Sequence, residues 1–159
     1  MSRKKDLQRL IRHYKTVTGE TEVDMKKVAV LARDMGWPMP EPKDPLDILA
    51  KQLSTAAREE YRKDKRTGRP YRANHALAIQ QGAETLHLWI DIDEAPRSQI
   101  VKSLTMRREQ MVSDGLQLTY DADHWNANNP DQKPIQLEMD FTLDIEWRKN
   151  SEDDEDAAA

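Results

Sequence analysis

Apolar positions in this chain change period twice. At the start they recur at helical spacing: Leu7, Leu10, Ile11, Tyr14 and Val17 predict a helix over residues 2–18, with Ser2 as its cap and Gly19 at its end. Asp24 is the expected N-cap of a second helix over residues 25–35, with Val28, Leu31, Ala32 and Met35 on one side and Gly36 just past its end. The prolines of residues 37–45 forbid helix and predict an extended turn from which Trp37 and Met39 pack inward. A third helix is expected from Pro45 or Leu46 to Lys63, capped by Asp44, with Leu46, Leu49, Leu53, Ala56 and Ala57 facing the core.

The period then falls to two. Tyr71, Ala73, His75, Leu77 and Ile79 alternate with Arg72, Asn74, Ala76 and Ala78; beyond Gly82, Leu86, Leu88, Ile90 and Ile92 alternate with His87, Trp89 and Asp91. This predicts an antiparallel hairpin. A turn centred on Gln81-Gly82 pairs Leu77 with Leu86 and His75 with Leu88, which sets both apolar groups on one face. Helical spacing returns after Glu94-Ala95-Pro96, with Ile100, Val101, Leu104, Met111, Leu116 and Leu118 apolar up to about Tyr120. Gly115 is expected to break or thin that helix, and Arg107 and Asp114 interrupt its heptad seam.

The pattern therefore predicts an α+β fold: a bundle of three helices, a β-hairpin and a packed fourth helix in a domain of residues 1–125. Residues 126–150 are expected as an extended arm or edge strand carrying Ile135, Leu137, Met139, Phe141, Ile145 and Trp147, and residues 151–159 as a disordered acidic tail.

Composition adds bounds. Among 159 residues, 34% are charged and 37% hydrophobic, so the compact domain should be smaller than the chain. No apolar run reaches the roughly twenty residues of a membrane span, and nothing resembles an export signal. The absence of cysteine excludes disulfides and thiolate metal sites and fits a cytoplasmic protein. Charge is unevenly divided. Residues 1–75 carry 18 Lys and Arg against 11 Asp and Glu, whereas residues 76–159 carry 7 against 18. A basic first half implies an anionic partner.

The candidate chemistry is cationic. On the third helix Lys51, Thr55, Arg58 and Arg62 are spaced four, three and four residues apart, which makes one stripe. Lys63, Lys65, Arg66, Arg69 and Arg72 follow at once, around a Thr67-Gly68 turn. Flexible cationic heads neutralise backbone phosphates, and Thr can reach base edges, so this arrangement suits double-stranded DNA.

The order helix, short extended piece at Glu20 to Val23, helix, helix, hairpin over residues 7–93 resembles the winged helix-turn-helix fold. The resemblance implies that Lys51, Thr55, Arg58 and Arg62 occupy the helix that enters the major groove, and that Lys65, Arg66 and Arg69 lie in the wing region. It is a resemblance of element order, not of a sequence motif. The link between the second and third helices is longer than the fold's usual tight turn. The charges also precede the hairpin, whose tip is Gln80-Gln81-Gly82, where a standard wing carries them at the tip.

The leading reading is thus a DNA-binding regulator or accessory factor without catalysis, cofactor or metal. Its contacts are Lys51, Thr55, Arg58 and Arg62 in the groove, and Lys65, Arg66, Arg69 and Arg72 on phosphates. A second reading is a protein-interaction adaptor: Gln136, Leu137, Met139 and Phe141 in residues 136–141 resemble the glutamine-plus-hydrophobics peptide that docks on the bacterial replication clamp. A third is a metal-dependent nuclease using Asp91, Asp93, Glu94, Asp121, Asp123 and His124, if these converge. The fourth helix also offers a homodimer surface. No Gly-rich phosphate loop, nucleophile elbow or metalloprotease helix is present.

Overall fold

A computed structural model describes residues 2–157, with side chains described as far as Ser151. The fold is α+β, with five helices and two small antiparallel sheets among the described residues. Their order is compatible with a winged-helix-like arrangement. The chain divides into two compact units, Met1–Gln52 and Leu53–Ala159.

In the first unit α1 (Arg3–Thr18) packs on α2 (Met25–Asp34), and Tyr14, Val28 and Ala32 are buried. Ser2 starts α1 through its carbonyl, which accepts from the Lys5 and Asp6 amides; its hydroxyl makes no capping bond. Gly19, at φ 70°, ends α1, and the Asp24 carboxylate caps α2 by accepting from the Lys26 amide at 2.8 Å. Gly36, at φ 82°, lets the Trp37 amide reach back to the Ala32 carbonyl while its own amide reaches Arg33, a complete Schellman closure. Trp37 is half-buried, but Met39 is exposed.

Helix α3 (Pro45–Glu59) begins where expected: the Asp44 carboxylate accepts from the Leu46 amide at 2.9 Å. It ends four residues before Lys63, because the Glu60 carbonyl accepts from the Ala73 amide and the chain beyond becomes a strand. Its apolar stripe is not an inner face. Leu46, Leu49 and Leu53 are 72%, 49% and 62% exposed, and α3 buries no residue.

The second unit holds both sheets. Strand β1 (Tyr61–Lys63) pairs with β2 (Pro70–Arg72), and β3 (Asn74–Gln81) pairs with β4 (Glu84–Asp91). The extended run from Pro70 to Gln81 changes partner at Ala73. The Ala73 amide donates to the Glu60 carbonyl at 3.0 Å and its carbonyl accepts from the Ile92 amide at 2.9 Å, so one fully buried residue joins the two ladders. The β3–β4 register is two residues off the expected one: Leu77 faces Leu88 and Ile79 faces Leu86. The turn residues are Gly82 and Ala83, and only Gly82 has positive φ, at 64°, as a two-residue type II′ turn requires. A shift of two preserves the faces, so His75 and Leu77 are still buried together.

Helix α4 (Arg97–Asn128) packs on β3, where the fully buried Ser103 hydroxyl donates to the Ala76 carbonyl at 2.6 Å. Leu86 and Leu88 on β4 therefore remain exposed. The helix passes through Gly115 unbroken and continues eight residues beyond Tyr120, for a length of about 48 Å. After a turn the chain returns without regular structure and ends in α5 (Thr142–Ala157), a helix where an arm and a disordered tail are the sequence expectation. Ala158 and Ala159, the end of that expected tail, lie outside the described residues.

Candidate nucleic-acid interface

The basic segment forms its own hairpin. Asp64 follows β1 and organises the turn: its carboxylate accepts from the Arg66 amide at 2.8 Å and the Thr67 amide at 3.0 Å, and its main chain bonds Arg69 and Gly68. Two amide donors hold the Asp64 carboxyl below the usual carboxylate range. Gly68, at φ 70°, completes the turn. Lys65 and Arg66 sit at the tip, with Lys63 and Arg69 at its base. Two of the cations that precede the β3–β4 hairpin in sequence, Lys65 and Arg66, are thus at the tip of the β1–β2 hairpin.

Arg62 does not join them. It lies on β1, not on α3, and its guanidinium makes two parallel hydrogen bonds to Asp91, at 2.9 and 2.7 Å, and one to Asp93 at 2.7 Å. Glu60 lies 3.8 Å away and the Tyr71 hydroxyl donates to the same Asp93 oxygen at 2.9 Å. These bonds raise the Arg62 pKa, lower that of Asp91 and, through Asp93, raise that of Tyr71. Arg62 is a brace between β1 and the end of β4. Its charge is spent inside the protein.

Lys51 and Thr55 lie exposed on α3, and Lys51 belongs to the first unit. Arg58, in the last turn of α3, lies over the Trp89 ring at 5.8 Å from its centre, a cation–π geometry. Arg72 donates from Nε to the Tyr61 hydroxyl at 3.2 Å. Arg58 and Arg72 line one cavity of about 150 Å³ together with Asn74, His75, Ala76, Trp89 and Arg107. Sequence reasoning leaves out Arg107 and Trp89. The available signal was Arg107 itself, a cation on a largely apolar helical seam that Asp114 also interrupts.

The acidic set does not assemble. Asp91 and Asp93 converge on Arg62, and among the described residues no three His, Asp or Glu come together in a way that could hold a metal ion.

The segment proposed as a docking peptide is folded back on α4. The Asn126 side chain bonds both main-chain groups of Ile135, at 2.9 and 2.8 Å. Met139 and Phe141 line a cavity of about 620 Å³ with Met111, Val112, Gly115 and Leu116. A Cβ on Gly115 would stand 2.9 Å from the Met139 methyl, so the glycine accommodates this side chain. Gln136, Leu137, Met139 and Phe141 all remain exposed.

No protein-family model, curated protein or solved structure matches the chain. Among the described residues no helix is long and apolar enough to cross a membrane.

Proposed function

We propose that this chain binds double-stranded DNA, as a regulator or accessory factor without chemistry of its own. The observation that supports this best is the ordered basic tip of the β1–β2 hairpin, which presents Lys65 and Arg66 on a turn fixed by Asp64. A preformed loop of cations binds phosphates with less loss of conformational freedom than a flexible one. Arg58 and Arg72 add donors within the same unit, and Arg62 supports the hairpin without touching the ligand. A cytoplasmic setting suits a chain without cysteine. The test is duplex binding by fluorescence anisotropy. Arg66→Gln should weaken binding to all sequences alike, and equal affinity of the variant and the parent protein would count against the hairpin tip.

A homodimer through α4 is the second reading, favoured by Leu104, Met111 and Leu118, spaced seven apart and 44%, 57% and 46% exposed. Sedimentation equilibrium tests it: a monomer at all concentrations would remove it.

A further inference from the structure

The cavity shared by Arg58, Arg72 and Arg107 has the composition of an anion site. Three guanidiniums line about 150 Å³, and no carboxylate is among its lining residues. Among the described residues none of the three lies within ion-pair distance of an acid, unlike Arg62, which is held by Asp91 and Asp93. Like charges gathered in a recess without a counterion repel one another, and a bound anion reverses that cost. Trp89 steadies one of the three through the stacked Arg58.

A second observation points the same way. His75 lines the cavity and is 5% exposed. Its Nε2 lies 3.0 Å from the Arg72 carbonyl, which can only accept, so Nε2 carries the hydrogen. Nδ1 is buried without a partner. Buried nitrogens are ordinarily satisfied, and this one keeps an unused acceptor.

We infer that this cavity binds a phosphate monoester. Guanidinium forks match phosphate oxygens in geometry and charge, and three of them suit a group carrying nearly two negative charges better than a singly charged diester. A monoester near neutral pH also exists in part with one O–H, which can donate to His75 Nδ1. The site goes beyond the duplex reading: it takes Arg58 and Arg72, which that reading uses as added donors, joins them to Arg107, and needs a recess for a single group.

The experiment uses the full chain and inorganic phosphate, followed by calorimetry at constant ionic strength. Binding is expected, with Arg107→Gln and Arg72→Gln each weakening it by about tenfold or more and Arg66→Gln leaving it unchanged. Arg107 is exposed, so its replacement leaves the fold intact, which a thermal melt verifies; Arg107→Lys should lose part of the affinity because the fork is lost and the charge kept. Adenosine monophosphate and a 5′-phosphorylated single strand, each as competitor, then distinguish a free nucleotide from a nucleic-acid end. Absence of phosphate binding, binding indifferent to Arg107→Gln, or failure of both competitors would overturn the site. Duplex affinity lost with Arg66→Gln while phosphate binding persists would separate the two proposals.

Discussion

Arg62 grips Asp91 in the second unit through two parallel hydrogen bonds of 2.9 and 2.7 Å across 29 residues of sequence. The contact ties the basic β1–β2 hairpin to the last residue of β4, and Asp93 adds a third bond from the following loop. Arg62→Gln should therefore lower the thermal midpoint while changing duplex affinity less than Arg66→Gln does. A differential melt and an anisotropy titration of both variants check this. A variant at position 62 that melts like the parent protein but loses DNA would return Arg62 to the binding set.

The same bonds set a pH dependence. The Asp91 carboxyl is held below its ordinary value, first by Arg62 and then by the Asp93 amide. A depressed carboxylate contributes stability that is fully present above its unfolded pKa, about 3.9, and is lost as pH falls through the lower folded value. Unfolding by urea, followed from pH 6 downward, should show stability declining below about pH 4. That decline should shrink in Asp91→Asn, which is less stable than the parent protein at neutral pH. Asp64 titrates in the same direction, so the slope is reduced and not abolished.

Asp64 organises the hairpin tip by accepting two amides, a role that a neutral amide oxygen can share. Asp64→Asn should keep the turn, and Asp64→Ala should loosen it. Hydrogen exchange at the Arg66 and Thr67 amides is expected to accelerate strongly in the alanine variant and weakly in the asparagine variant. DNA affinity should follow the same order.

Gly115 and Met139 are predicted to be coupled. Alanine in place of an interior helical glycine gains about 1 kcal/mol from helix propensity. Here the new Cβ meets the Met139 methyl, the far end of a flexible side chain, so part of the gain is lost in moving it. Gly115→Ala should stabilise a Met139→Ala protein by more than it stabilises the parent protein, in a double-mutant cycle read by urea denaturation. Equal effects in both backgrounds would show that the segment does not lie against α4.

The local signals in the sequence were sufficient wherever a single side chain set the outcome. Asp24, Asp44, Gly19 and Gly36 mark the ends of α1–α3 because caps act within a few residues. The alternation around His75 and Leu77 gave the buried face of β3. What failed depended on distant partners. The switch at Ala73 needs Glu60 and Ile92, so a single strand was read where two hairpins meet. Arg62 looked like part of a helical stripe because its partners lie 29 and 31 residues away. Gly115 looked like a helix breaker because its use, room for Met139, is visible only once the chain has folded back. The cavity drew Arg58, Arg72 and Arg107 from three elements, a convergence that no spacing rule encodes.

The central claim, that this chain binds duplex DNA through its phosphates, is tested most directly by affinity as a function of salt. Log affinity should fall linearly with log salt concentration, by about 0.9 per phosphate neutralised, and the Lys65→Gln, Arg66→Gln double variant should reduce that slope by about two such contacts. An undetectable complex at low salt, or an affinity that salt leaves unchanged, would contradict it.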